Sequence, residues 1–464
     1  MQRSLRSSAF VSFCLALGFV STATADTPHL PGLTPDEIAA FQAGQPLFDQ
    51  IDTPEGGLGP IFNKQNCSGC HSVPVSGGFG TIMVVRFGHA MDANSDGVYD
   101  SFDSLDALGG SLRQEFANDP DNCLETVPPE ANVTAFRITP GTLGFGLIEA
   151  IPDADILAQE DPDDLDGDGV SGRAHMVVDA ASGDTRVGRF GWKSQVATLL
   201  TFSGDALRNE QGVTNRLFPT ENAPNGDEEA LEFCDSVEDP EDTADENGLD
   251  RIDHLAAFQR LSAPPAGQDI SNPNGFEVFK AVGCADCHTP IYLTGDSDVR
   301  AIASRTVRPF SDFLLHELGS DLQDNIQQGD GQMSEMRTAP LWDAHTKTQF
   351  MHDGRATTLE DAIFAHVGLN FDGEAVNSVL AYFDLTQEQI DDLYEFIGST
   401  KTPLCDTGDV DLSGDIDLDD VDDFIGVLLN GADAVEPHCS ADMNQDDYVD
   451  GQDVPLFVNA LLGG

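Results

Sequence analysis

The string Cys-x-x-Cys-His constrains this chain more than any other feature, and it occurs twice, as Cys67-Ser68-Gly69-Cys70-His71 and Cys284-Ala285-Asp286-Cys287-His288. In covalent haem attachment the two thiols add across the porphyrin vinyl groups and the adjacent His becomes the proximal ligand of the iron. Every protein atom needed lies within five residues. Zinc is the competing reading, because Cys-x-x-Cys also suits tetrahedral thiolate ligation, but each pair would then need two further ligands at suitable spacing. Two complete copies predict two covalent c-type haems.

At 464 residues the chain is long enough for two or three domains with separate cores. Residues 1–25 read as a secretory signal: Arg3 and Arg6 precede an apolar run from Ala9 to Val20, and Ala23-Thr24-Ala25 offers a cleavage site. Export to the periplasm, cell surface or medium is therefore expected, in keeping with haem attachment outside the bacterial cytoplasm. No later apolar run is long enough to span a bilayer. Loss of Cys14 with the signal leaves eight cysteines, four of them in the haem motifs. The others, Cys123, Cys234, Cys405 and Cys439, allow three connectivities, of which Cys123 with Cys234 and Cys405 with Cys439 keeps each bridge within one domain. A formal charge of -59 argues against nucleic acid and anionic membrane as partners and suits a basic electron-donor protein or bound cations. Most of the 81 acidic side chains are read as solvated surface.

Thr34 can cap a helix with Pro35 at its first position, and Phe41, Leu47 and Phe48 supply its apolar face. Ile252, Leu255, Ala256, Phe258 and Leu261 form one helical face that ends before Pro264 and Pro265. Ile390, Leu393, Tyr394 and Ile397 repeat it behind a Thr386 and Gln389 capping box. Each attachment motif is thus followed by a closing amphipathic helix, the arrangement of a cytochrome c domain. The expected fold is mainly α: a first cytochrome c-like domain over 26–265 with a long insertion, a second over 266–402, and a small EF-hand-like module over 403–464.

Calcium is expected at three loops. Asp92, Asn94, Asp96, Asp100 and Asp103 occupy positions 1, 3, 5, 9 and 12 of a calcium loop, with Gly97 at 6. Asp409, Asp411, Ser413, Asp417 and Asp420 do the same around Gly414, and Asp442, Asn444, Asp446, Asp450 and Asp453 repeat the pattern 33 residues later. Each of the latter two runs into a short apolar helix. A further acidic loop from Asp164 reaches His175 at position 12, and reads equally as calcium ligation or a polar turn.

The runs Gly144–Pro152, Gly188–Lys193, Asn209–Asn215, Arg337–Trp342 and His352–Ala356 resemble the bacterial di-haem oxidoreductases, relatives of di-haem cytochrome c peroxidase and of the methylamine dehydrogenase maturation enzyme. The resemblance covers about Pro31 to Lys401 and implies two cytochrome c domains facing each other. It implies His366, fourteen residues beyond His352, as distal ligand of the second haem, with Met351 as runner-up or plain core. It implies His89 as a labile distal ligand of the first haem, against an open site or a surface His. Glu210 corresponds to the distal-pocket carboxylate, against a solvated helix Glu, and Trp192 to the aromatic residue between the haems, against a core Trp. The C-terminal repeats resemble a type I dockerin, with Asp447 in place of the usual Gly at position 6 of the second loop, so a cohesin-like or cell-surface partner is a candidate.

Three function classes follow. The first is an exported peroxidase-like enzyme that passes electrons from a donor protein through one haem to peroxide at the other, with oxidation of a protein side chain or a thiol as variants. The second is a non-catalytic di-haem electron-transfer protein, and the third a scaffold-bound structural protein.

Overall fold

The computed structural model describes residues 27–95, 98–235, 237, 244–265, 272–342, 344–399, 410, 418, 420–430, 441 and 454–461. The signal segment, Asp96, Cys405, Cys439, Asp409, Asp411, Ser413, Asp417, Asp442, Asn444, Asp446, Asp450 and Asp453 lie outside the described residues.

The helices are α1 (Pro35–Asp49), α2 (Phe145–Glu149), α3 (Asp153–Leu157), α4 (Leu199–Gln211), α5 (Glu228–Cys234), α6 (Arg251–Leu261), α7 (Pro273–Ala281), α8 (Leu359–Ala365), α9 (Val376–Phe383), α10 (Gln387–Ser399), α11 (Asp420–Asn430) and α12 (Val454–Leu461). Local chemistry starts several of them. Thr34 and Glu37 form a reciprocal capping box at α1, and Asp250 with Asp253 does so at α6. Asn272 caps α7 ahead of Pro273, so the cap satisfies Gly275 N–H while proline supplies the helical φ.

Two helix crossings organise the haem motifs. Helix α1 crosses α6 so closely that a Cβ on Gly44 would stand 2.2 Å from the His254 carbonyl oxygen. Phe41, Phe48, Ile252, Leu255 and Phe258 fill the joint, with Cys67 packed against it. The pair α7 and α10 repeats this: Gly275 meets the Asp392 carbonyl at 2.2 Å by the same measure, and Phe279, Leu393 and Phe396 fill the joint beside Cys284. A third core, with Phe145, Ile148, Phe190, Tyr292, Phe313 and Trp342, lies between chain segments from both halves.

The mainly α expectation is corrected. Helix takes 34% and strand 14%, the strands forming several small sheets. The principal sheet lies in the insertion: β2 (Met83–Met91) pairs antiparallel with β3 (Ser101–Asp103), β4 (Leu112–Arg113) and β6 (Val133–Ile138). Val84, Val85 and Phe87 on β2 and Val133, Thr134, Phe136 and Ile138 on β6 are strand formers, and β6 alternates buried and exposed positions at its start. Two-stranded pairs join β1 (Ile61–Phe62) to β5 (Phe116–Ala117), β7 (Met176–Val178) to β8 (Thr185–Val187), β9 (Tyr292–Leu293) to β10 (Thr306–Val307) and β11 (Leu315–Glu317) to β12 (Glu335–Arg337). The amphipathic helices dominate the hydrophobic periodicity, whereas these strands are short and earn their place through partners distant in sequence.

A disulfide joins Cys123 to Cys234 across 111 residues and ties the segment between β5 and β6 to α5. At the C-terminus α11 and α12 pack through Phe424 and Phe457, whose rings stack at 4.0 Å. Asp420 accepts the Val410 N–H at 2.5 Å. Among the described residues no helix is long and apolar enough to cross a membrane.

Candidate functional site

At the second motif, Gly283 (φ 85°) turns the chain out of α7 into a 3-10 turn over Cys284–Asp286, with the Ser378 hydroxyl and the Asp286 carboxylate so close that a side chain would not fit. The turn delivers Cys284, Cys287 and His288 to the wall of a cavity of about 230 Å³ that is also lined by His366. His288 donates from Nδ1 to the Phe310 carbonyl at 2.8 Å, and His366, just past the end of α8, from Nδ1 to the Ala362 carbonyl at 2.7 Å. Each Nε2 is thereby left as a lone-pair donor, the tautomer an iron ligand requires. Burial pushes the His288 pKa down to about 4 against the Phe310 hydrogen bond, and burial likewise lowers His366. Both imidazoles are neutral at ordinary pH.

The thiols are neutral as well. Burial pushes Cys284 and Cys67 up to about 12 and Cys70 to about 11. Thioether attachment brings no charge into these buried positions, whereas zinc would need two thiolates at each pair and two further ligands besides. Cys287, Asp312 and His316 bring ligand atoms within 4.8 Å of one another, but His316 has both nitrogens engaged, Nε2 with Asp312 and Nδ1 with Glu374, each at 2.8 Å. Burial, the largest single effect, pulls the His316 pKa down, but the charge and hydrogen bonds of Asp312 and Cys287 together outweigh it and hold the imidazole well above its usual value. A doubly bonded imidazolium is no metal ligand, so the donor set fits haem better than zinc.

The first motif follows α1, where Asn66 donates to the Asp49 carbonyl at 3.1 Å and begins the turn Cys67–Gly69. The Cys67 thiol donates to Gln211 Oε1 at 3.4 Å, and Gln211 and Arg251 both donate to the buried Asp52. His71 has a buried Nδ1 without a well-formed hydrogen bond, and burial lowers its pKa to about 4. The Pro140 and Gly78 carbonyls lie close enough to His71 to oppose burial in part, but neither bonds Nδ1 as Phe310 bonds that of His288.

Helix α4 brings Glu210 to the same place. Its carboxylate accepts from Asn63 Nδ2 at 2.7 Å, and its carbonyl accepts the Asn63 and Lys64 N–H groups at 2.8 and 3.0 Å. Burial raises the Glu210 pKa, opposed by Asn63 and by the Arg86 guanidinium, and the Glu210 charge in turn helps raise Cys70. Arg86, on β2, buries an Nε with no hydrogen-bond partner. Neither Asn63 nor Arg86 carries a local sequence signal; their relevance comes from being folded against α4.

Trp192 borders the cavity at the second motif, donates from Nε1 to the Ile138 carbonyl at 2.8 Å and lies edge-on to His352 with ring centres 6.3 Å apart. The segment it binds continues to Thr139 and Pro140, which adjoin Cys70 and His71. Met351 also lines the cavity, in the left-handed region at φ 67°.

His89 has a different setting. It sits in β2 opposite Asp103, with Nδ1 bonded to the Glu130 carbonyl at 2.6 Å, while the groups gathered at the first motif are Glu210, Gln211 and Asn63. Of the described residues in the 92–103 loop, Asp103 lies in β3 opposite His89; Asp100 accepts the Ala93 N–H and Asp103 the Leu105 N–H. Asp161, Asp164 and Asp166 bring carboxylates together, but His175 is buried elsewhere, donating to the Lys193 carbonyl and accepting from Asp330 N–H. Position 12 of that loop is therefore not a ligand.

The family model described as "Di-haem oxidoreductase, putative peroxidase" matches residues 126–400. No curated protein matches the chain. Among solved structures, a hydrazine synthase from Kuenenia stuttgartiensis is 14% identical, covering 86% of this chain and 99% of that one, with a TM-score of 0.35. A MauG-like protein associated with microbial copper homeostasis is 15% identical, with coverages of 83% and 96% and a TM-score of 0.35. The diheme peroxidase BthA from Burkholderia thailandensis is 12% identical, with coverages of 78% and 86% and a TM-score of 0.34.

Proposed function

Because the chain belongs to the di-haem oxidoreductase family, we propose that it is an exported peroxidase with two covalent c-type haems, reducing peroxide to two waters with two electrons from a small donor protein and two protons from solvent. The observation that carries this reading is an asymmetry. His288 and His366 border one cavity, each with Nδ1 anchored, whereas the first motif gathers a buried carboxylate, Glu210.

Haem supplies one-electron storage and, where the iron keeps a vacant position, the site of oxygen–oxygen cleavage. The chain supplies the rest. Glu210, its pKa raised by burial, takes the proton from the bound peroxide oxygen and returns it to the departing one. Asn63 fixes its Oε2 and leaves the other oxygen for that transfer. His288 and His366 would both hold the iron of the second haem, which would suit that site to electron storage and leave it unsuited to binding peroxide. Trp192, bonded to the segment that adjoins Cys70 and His71, offers the route between the sites. The net charge of -59 favours encounter with a basic donor. Calcium bound by the C-terminal repeats would order that module and present it to a cohesin-like or surface partner.

Glu210→Gln tests the reading. Both haem spectra should be retained while peroxide turnover with reduced donor falls by about 100-fold to 10,000-fold. Two low-spin six-coordinate haems in the oxidised and half-reduced states, with no peroxide-dependent donor oxidation, would leave electron transfer as the better account.

A further inference from the structure

Arg337, at the end of β12, is buried with 6% exposure and lies on the wall of the cavity that receives the second motif. Its Nε donates to the Gly191 carbonyl at 2.7 Å, its Nη1 to the Thr338 carbonyl at 2.9 Å, and its backbone N–H to the Trp192 carbonyl at 2.9 Å. Among the described residues Nη2 has no hydrogen-bond partner and no carboxylate stands within ion-pair distance. The one acidic group whose field reaches it, Asp312, is bonded to His316.

The other two arginines with almost no exposure differ. Arg137 is paired with Asp324 and Arg189 with Asp153. An ionised guanidinium taken out of water without a carboxylate is costly, and arginine does not escape that cost by giving up its proton at neutral pH. Among the described residues none supplies that countercharge, which leaves the role to a group bound in the cavity. The cavity already receives Cys284, Cys287 and His288, and the cofactor such a motif attaches carries two carboxylates on its propionate arms. A planar fork with a free Nη2 matches one of them.

We propose that Arg337 clamps a propionate of the second haem and, through its bonds to Gly191 and Trp192, ties that carboxylate edge to the turn carrying Trp192. The assignment rests on the two-haem reading above. It makes Arg337 a cofactor-binding residue and gives the Trp192 turn a fixed position relative to the second haem. The sequence supplied only a weak pointer, the run Arg337–Trp342; the lack of a carboxylate partner is visible only in three dimensions.

The test uses full-length protein carrying its haems, as wild type, Arg337→Gln and Arg337→Lys. Pyridine haemochrome analysis and intact mass give the haem count, a spectroelectrochemical titration the equilibrium of the bis-histidine haem, and resonance Raman the propionate bending bands. Removing a cation a few ångströms from the propionate should favour ferric haem by about tenfold, a 59 mV lower one-electron potential. Arg337→Lys should recover most of that shift, which a purely structural role would not predict. The wild-type Raman band should be that of a strongly hydrogen-bonded propionate and should move in Arg337→Gln. An unmoved potential and band in Arg337→Gln with both haems present would overturn the clamp and leave the two-haem reading intact. Should Arg337→Gln fail to fold, a weakly bonded propionate band in wild type would overturn it alone. Fewer than two haems in wild type would overturn both.

Discussion

Gly44→Ala places two known effects in opposition, and the structure decides between them. Glycine inside a helix costs about 1 kcal/mol relative to alanine, so on propensity alone the substitution in α1 should stabilise the protein. The added Cβ, however, would lie 2.2 Å from the His254 carbonyl oxygen and 2.7 Å from the Phe258 Cβ. Neither neighbour is the end of a flexible side chain. Helix α1 must move away from α6 by roughly 1 Å, loosening Phe41, Phe48, Leu255 and Phe258 together. Overpacking of this kind costs about 1–3 kcal/mol and often more where backbone must shift, so a net destabilisation of about 1–2 kcal/mol is expected. Gly398→Ala, in α10, is the internal control: nothing lies within 4 Å of its added Cβ, and it should stabilise by up to about 1 kcal/mol. Denaturant unfolding of the haem-loaded protein, with both variants measured beside wild type, compares them directly. Equal stabilisation by the two substitutions would refute the close α1–α6 crossing and with it the account of how the first motif is held.

Asp324 binds Arg137 at 2.6 Å and Lys193 at 3.2 Å, all three side chains being at most 3% exposed. Asp324→Asn should therefore cost about 3–5 kcal/mol by stranding two buried cations, and a shift in denaturant midpoint worth less than about 1 kcal/mol would contradict the network. His352 is held near pKa 4 chiefly by burial. The unfolded chain binds that proton from about pH 6.5 downward and the folded chain does not, so stability should fall between pH 6.5 and 4 and be flat for this group above pH 6.5. In His352→Phe that part of the pH slope should vanish in urea titrations; an unchanged slope would assign it to other groups.

Features written in a few consecutive residues were legible before any folding argument. Both attachment motifs, the Thr34 cap with Pro35 at the first helical position, and the apolar faces of α6 and α10 depend on spacing within one or two turns, and spacing is what a sequence displays. The strands were not legible to the same degree. The pairings of Val85 with Phe136 and of Ala90 with Phe102 depend on partners outside the strand itself, and short segments carry too little periodicity to announce them. The same limit separates the site residues. Cys284, Cys287 and His288 are a local signature, but the asymmetry between a carbonyl-anchored His366 and a carboxylate at the first motif, and the lack of an ion-pair partner for Arg337 among the described residues, are properties of groups that meet only after the chain has closed on itself. Burial is the physical reason: it sets the charge state of Glu210, His288 and His366 and turns an unpaired guanidinium into a binding site, and no stretch of sequence states how deeply its side chains are covered.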